Sequence, residues 1–270
     1  MAENGVVNYY GASYGNFASR LFSEIRAEAF GEDIGQTGWL SAEEQDLFIA
    51  WLKLDSSSRL LDIACGSGGP TLRIARKTGC YVHGIDVHEQ GVQAARDQAQ
   101  AKALGERSTF EQVDAGQPLP FADQSFDGLI CIDAVNHVPD RPRVFGDWAR
   151  ILKPGGCLVF TDPITVTGPL TNEEISIRSS IGFFLFVPKG TDEQLLAEAG
   201  FDVLAIEDRT ANMAQMARRW HAAREARAVD LERVEGKETF EGQQAFLRVT
   251  AKLAAEHRLS RFAFHARRKT

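Results

Sequence analysis

The stretch Leu61-Asp62-Ile63-Ala64-Cys65-Gly66-Ser67-Gly68-Gly69-Pro70 decides how the rest of the chain is read. A short apolar run carries an acid and then breaks into glycines, the pattern of a strand feeding a tight turn and a helix. Glycine lets that backbone turn sharply and lets a ligand come close, because no Cβ stands in the way. The dinucleotide pattern Gly-x-Gly-x-x-Gly is not completed, since Thr71 stands where its third glycine would be. Dinucleotide folds use such a loop to hold a pyrophosphate at a helix N-terminus. A carboxylate four residues before Gly66, Asp62, suits a cofactor bearing an ammonium group better.

Outward from this turn, short apolar runs alternate with longer helical stretches. Residues 59–64 read as a strand, 71–77 as a helix, 81–86 as a second strand and 90–103 as a helix. Strands follow at 109–113 and 128–132, then a helix at 141–151, the turn Lys153-Pro154-Gly155-Gly156 and a strand at 157–161. This alternation predicts an α/β fold whose parallel sheet is covered by helices on both faces. Ligands of such sheets lie at the carboxyl ends of the strands. That rule selects the loops at 62–70, 86–88, 114–115 and 133–139. Asp86 closes the second strand, where an acid can accept hydrogen bonds from both ribose hydroxyls. Asp114 closes the third, where it can accept one from an adenine amino group.

Farther out the signals change. Residues 1–20 are rich in Gly and Tyr and suit neither a long helix nor a clean strand. Helical patterning begins near Phe17 and breaks at Gly31; Ser41 and Glu44 form a capping-box signature for a helix to about Lys53. Residues 163–192, with their apolar run 181–187, read as a lid. A helix at 192–199, a strand at 201–206 and helices at 211–233 and 239–257 follow, and the Phe262/Phe264 spacing marks a final strand. The expected division is one domain: a helical cover at 1–58, a cofactor-binding core at 59–162, a lid at 163–192, and the rest of the sheet with two inserted helices at 193–270. Met213, Met216 and Trp220 have the spacing of a core stripe, and Arg218, Arg219, Arg224 and Arg227 that of a solvated face.

Composition narrows the partners. A net charge of −7 repels phosphate backbones and argues against non-specific nucleic-acid binding. The four cysteines, at 65, 80, 131 and 157, form no Cys-x-x-Cys pair, so neither a zinc site nor a disulfide framework is expected. No apolar run reaches membrane-spanning length. The expectation is a cytoplasmic protein with no membrane or nucleic-acid partner and no metal; its oligomeric state is open.

Together the runs at 62–69, 119–127 (Leu-Pro-Phe-Ala-Asp-Gln-Ser-Phe-Asp) and 152–156 (Leu-Lys-Pro-Gly-Gly) resemble the class I S-adenosylmethionine-dependent methyltransferases across residues 59–162. The resemblance implies a Rossmann-like, mostly parallel seven-stranded sheet with an N-terminal helical segment and a cap, and S-adenosyl-L-methionine as cofactor. It places Gly66 and Gly68 against the methionine part, Asp86 on the ribose, and Asp114 with Ala115 beside the adenine. Asp62, Ala64, Val87 and Asp133 join the cofactor site, and Gln36 and Trp39 cover it.

The loop at 133–141 lacks the Asn/Asp-Pro-Pro-aromatic motif of enzymes that methylate planar amides or nucleobase amines. It is similar instead to the corresponding loop of the sarcosine/dimethylglycine and phosphoethanolamine N-methyltransferases. So are Phe30-Gly31-Glu32-Asp33-Ile34-Gly35, Arg261-Phe262-Ala263-Phe264 and the Tyr9-Tyr10 pair. In the phosphoethanolamine enzymes a histidine of this loop pairs with an N-terminal tyrosine; His137 matches the histidine, while Tyr9, Tyr10 and Tyr14 compete for the tyrosine. His137 and Tyr10 are therefore the catalytic candidates. A histidine suits the removal of a proton from an acceptor near neutrality; the alternative is that it only bonds a backbone carbonyl or stacks on adenine. Phe183, Phe184 and Phe186 either line an acceptor pocket or anchor the lid. The expected activity is methyl transfer to a nitrogen or oxygen of a small molecule. Its rivals are carbon methylation, a nicotinamide-dependent oxidoreductase and a non-catalytic cofactor-binding protein.

Overall fold

The computed structural model describes residues 9–270, with the side chains of Tyr9 and Ala12 left out. At its centre runs a sheet in the order β3-β2-β1-β4-β5-β8-β7. The strands are β1 (Arg59–Ile63), β2 (Tyr81–Asp86), β3 (Ser108–Gln112), β4 (Phe126–Cys131), β5 (Leu152–Val166), β6 (Val187–Pro188), β7 (Phe201–Asp208) and β8 (Leu259–Arg268). All pairs from β3 to β5 are parallel, and β8 runs antiparallel to both β5 and β7. The two residues of β6 add an eighth strand beside β5. β1 is buried at every position after Arg59, as a strand covered on both faces must be. The expected Rossmann-like sheet is thus present, with one short strand more than the seven anticipated.

The helices are α1 (Tyr9–Gly15), α2 (Arg20–Phe30), α3 (Ala42–Leu52), α4 (Gly69–Thr78), α5 (Glu89–Ala101), α6 (Arg141–Ile151), α7 (Asn172–Arg178), α8 (Thr191–Glu198), α9 (Thr210–Glu225), α10 (Ala228–Glu235) and α11 (Lys237–Ala255). Ser41 caps α3 by accepting from the Glu44 amide at 3.0 Å. Only half of the expected box forms, because the Glu44 carboxylate is drawn instead to Arg261. The segment at 9–15, in a stretch that suits no long helix and no clean strand, makes only the short helix α1. The stretch at 211–233 is two helices, not one. Its break brings Glu235 of α10 onto the buried Arg224 of α9, so Arg224 does not lie on the solvated face predicted for it; Arg218 and Arg219 do.

Above the carboxyl ends of the strands, α2, α9 and α11 share a core of Phe22, Ile25, Met213, Met216, Trp220 and Phe246. The Met213/Met216/Trp220 stripe is packing, as its spacing indicated. This helical layer roofs the strand ends and leaves a cavity of about 610 Å³ between them. No described helix is long and apolar enough to cross a membrane.

Candidate active site

The floor of the cavity is built by the ends of β1, β2 and β4 and the loops that follow β3 and β4. Ala64, Asp86, Val87, Asp114, Ala115 and Asp133 all line it, so six sequence-predicted residues from four separate loops converge. β2 ends at Asp86, and the chain then turns into α5. Two backbone N–H groups from different turns meet the Asp86 carboxylate: Gly66, between β1 and α4, donates to Oδ2 at 2.8 Å, and His88, between β2 and α5, to Oδ1 at 2.9 Å. A carboxylate offers about four acceptor positions, so both oxygens keep room for a ligand hydroxyl. Burial raises the Asp86 pKa above its ordinary value, against the pull of the His88 and Gly66 N–H groups.

Asp62 lies beside a smaller recess lined also by Gly35, Gln36, Ala64 and Gly66. Burial lifts its carboxyl to about 7, although the Thr71 hydroxyl donates to it at 2.5 Å. The two predicted glycines divide their work. Gly66 has φ +54°, and a Cβ there would meet the Tyr14 hydroxyl at 3.0 Å; it faces the site. Gly68, φ +75°, faces away, and a Cβ would strike the Ala95 Cβ at 2.6 Å. Its lack of a side chain serves the contact of α4 with α5 and β3, and it lines neither cavity.

Three further predicted residues sit where expected but with other partners. Gln36 is buried, and its amide accepts from the Ile34 N–H and donates to the Glu32 carbonyl, closing its own loop. Trp39 lines the cavity but belongs mainly to the helical core, edge-on to Trp220 and stacked on Phe246. Asp133, in left-handed backbone at φ +53°, is the hub of a buried network. Its Oδ2 accepts from the Trp39 N–H at 2.7 Å, and its Oδ1 from the Thr161 hydroxyl at 2.8 Å and Arg261 Nε at 2.7 Å. Arg261 Nη1 then donates to Glu44 at 2.7 Å. The protein itself engages both oxygens, so Asp133 ties β4, β5, β8 and the 36–40 loop together beneath the cavity. Asp114 is exposed at the rim and bonds the Gly116 N–H at 2.8 Å.

The two catalytic candidates meet where α1 approaches the loop after β4. Tyr10 of α1 lies 2.9 Å from His137 Nε2, and His137 Nδ1 lies 2.9 Å from the Phe183 carbonyl. A carbonyl only accepts, so Nδ1 carries the proton and Nε2 accepts from the Tyr10 hydroxyl. Burial lowers the His137 pKa, opposed by its bond to Phe183; burial and then Asp86 push the Tyr10 phenol up. Tyr14, one turn on, also lines the cavity and stacks toward Tyr10 at 6.0 Å. Both side chains that the structure describes among the three competing tyrosines therefore enter the site, but only Tyr10 is hydrogen-bonded to His137. The Tyr9 side chain lies outside the described residues.

The segment at 163–192 supplies the remaining wall. Phe183 and Phe184 line the cavity, whereas Phe186 packs behind it on Leu253 and Leu259. Three contributors escaped the sequence reading. Arg178, Asn136 and Gln243 all line the cavity, and all have buried side-chain atoms with no hydrogen-bond partner among the described residues. Asn136 lies inside a loop that the strand-end rule selects; a lone arginine at the end of α7 and a glutamine in α11 leave no pattern to find.

Residues 61–160 match the methyltransferase-domain family. The chain is 33% identical over 199 residues to the 27-O-demethylrifamycin SV methyltransferase of Amycolatopsis mediterranei, covering 69% of this chain and 73% of that one. It belongs to the class I S-adenosylmethionine-dependent methyltransferases. This methyltransferase is also 29% identical over 218 residues to a sterol 24-C-methyltransferase of Eremothecium gossypii, covering 77% of its own length but 55% of the relative's. Its fold superposes on the cyclopropane synthase MmaA2 of Mycobacterium tuberculosis with a TM-score of 0.82 at 18% identity, over 99% of both chains.

S-adenosylmethionine is the cofactor, and the residues present fit it. Asp86 has acceptor positions that ribose hydroxyls would fill, Asp62 has a carboxyl that the ammonium would meet, and the Gly66 turn has no side chain to stand in the way.

Proposed function

We propose that the methyltransferase acts on an oxygen or nitrogen of a small, largely apolar metabolite, with Tyr10 and His137 as its proton relay. The observation that carries this reading is the chain Tyr10 Oη–His137 Nε2, His137 Nδ1–Phe183 carbonyl at the cavity wall. S-adenosylmethionine, when bound, supplies an electrophilic methyl group. The protein aligns the acceptor and takes its proton. An acceptor O–H or N–H bonds to Tyr10 Oη; as its proton moves there, the tyrosine proton passes to His137 Nε2. The imidazolium so formed keeps its Nδ1–H on the Phe183 carbonyl. Because its pKa lies below the ordinary value of about 6.5, the imidazole is neutral and ready to accept at neutral pH.

The rifamycin relative's name describes an oxygen acceptor, which supports this reading. Carbon methylation is the second reading, supported by the sterol relative. One experiment separates them: screen phenols, alcohols, amines and alkenes, identify the methylated atom by NMR, and repeat the reaction with His137→Ala. Oxygen or nitrogen methylation that falls about 100-fold or more in the variant, with cofactor affinity retained, is the expected result. Full activity in the variant sinks the relay.

A further inference from the structure

Arg178, the last residue of α7, is 0% exposed, and Nε, Nη1 and Nη2 all lack a hydrogen-bond partner among the described residues. The other buried arginines are all paired with a carboxylate. Arg26 bonds Asp33, Arg73 bonds Asp46, Arg141 bonds Asp162 and Asp192, Arg224 bonds Glu235, and Arg261 bonds Asp133 and Glu44. The fold therefore has a regular solution for a buried guanidinium and does not apply it here. Instead Arg178 is held by rings, 4.3 Å from the Phe246 centroid and 5.5 Å from that of Phe184. Such contacts favour the cation and fix its plane but leave every N–H unused. Burial pulls its pKa down to about 9, which still leaves it charged at neutral pH.

These donors line the cavity. The Asp133 carboxylate is already committed to Arg261, and no group among the described residues lies at hydrogen-bond distance to neutralise the charge. Gln243, whose Nε2 is likewise buried and unpartnered, lines the same cavity. A planar guanidinium matches the two oxygens of a carboxylate through parallel N–H donors. One monoanion cancels one buried cation; a dianionic phosphate would leave a second charge stranded among Phe183, Phe184, Phe246 and Leu247.

We propose that Arg178 is the acceptor-recognition residue, binding a monoanionic carboxylate on an acceptor whose remaining body is apolar. This rests on reading the aromatic end of the cavity as the acceptor site. Pairing there would also seat the acceptor in one orientation, with its carboxylate on α7 and its reacting atom toward Tyr10.

The test is calorimetric, on the full chain saturated with S-adenosylhomocysteine. Straight-chain carboxylates from butanoate to dodecanoate are titrated beside their primary amides, which keep the shape and lose the charge. At least one carboxylate should bind about ten-fold or more tightly than its amide, because an unpaired buried donor set rejects the uncharged analogue. Arg178→Met and Arg178→Gln should both abolish that preference while binding S-adenosylhomocysteine as the parent does, which also reports that they fold. The proposal is overturned if no carboxylate in the series is preferred, if either folded variant keeps the preference, or if losing the guanidinium weakens S-adenosylhomocysteine ten-fold, which would assign it to the cofactor's own carboxylate. The readout needs no turnover. A protein with the carboxylate preference but no relay-dependent methylation would refute the proposed function alone.

Discussion

The two sides of the cavity are built on opposite terms. On the floor, polar groups find partners within the fold: Asp86 holds two N–H groups, Asp62 a hydroxyl, and Asp133 a guanidinium, an N–H and a hydroxyl. On the opposite wall, Arg178 and Gln243 are buried with side-chain nitrogens that have no hydrogen-bond partner among the described residues. The floor spends its polarity on shape and presents a ligand with a finished surface. The wall keeps its polarity in reserve, at a cost that only a ligand can offset.

The largest expected effect tests this difference directly. Arg261→Met removes the cation shared by two buried carboxylates, Asp133 and Glu44, and should lower unfolding free energy by about 3–5 kcal/mol in urea titrations. Arg178→Met, equally buried but unpaired, should leave stability within about 1 kcal/mol of the parent or raise it, since the lost ring contacts are offset by relief of an uncompensated charge. Comparable losses in the two variants would erase the distinction.

Next in size, Asp86→Ala should weaken S-adenosylhomocysteine by about 1–3 kcal/mol, the scale of hydrogen bonds to a charged group. Equal affinity by calorimetry would remove Asp86 from the ribose. The smallest effect concerns pH. With its carboxyl raised to about 7, Asp62 is protonated in the free protein below that value, while the cofactor's ammonium favours the carboxylate. Affinity should therefore be about ten-fold lower at pH 6 than well above 7, with proton release on binding, read from titrations in buffers of different ionisation enthalpy. The sign for the free fold is the reverse of a salt-bridged acid. The raised pKa contributes stability that is full below the ordinary carboxyl value and is lost as pH climbs through 7. Binding that is insensitive to pH and releases no proton would place the ammonium elsewhere.

The floor was also the legible half. Its residues stand at successive strand ends, so strand periodicity and one glycine turn were enough to bring Asp62, Asp86 and Asp114 together. Sequence was weaker on what those residues touch. Gly68 bore the mark of a ligand glycine but serves helix packing, and Asp133 lies at the site while bonding to the protein, because its partner Arg261 is 128 residues away. The wall was nearly silent: α1, α7 and α11 contribute between one and three side chains each, and none carries a pattern of its own. His137 and Tyr10 were reached through resemblance to other enzymes, not through spacing, since 127 residues separate them. The break between α9 and α10 was hidden for the same reason, as the pairing of Arg224 with Glu235 is tertiary.

One feature of the sheet bears on how the molecule is made. β8 comes after all the other described strands, yet it lies between β5 and β7 and carries Arg261. A ribosome releases the chain from its N-terminal end, so the parallel strands emerge well before the strand that closes the sheet. Until β8 threads in beside β5, the edge of β5 is open to pairing with another nascent chain, and Asp133 has no cation to hold it. The methyl-transfer site is therefore assembled only after β8 has emerged, and chaperone dependence should concentrate in the interval before that.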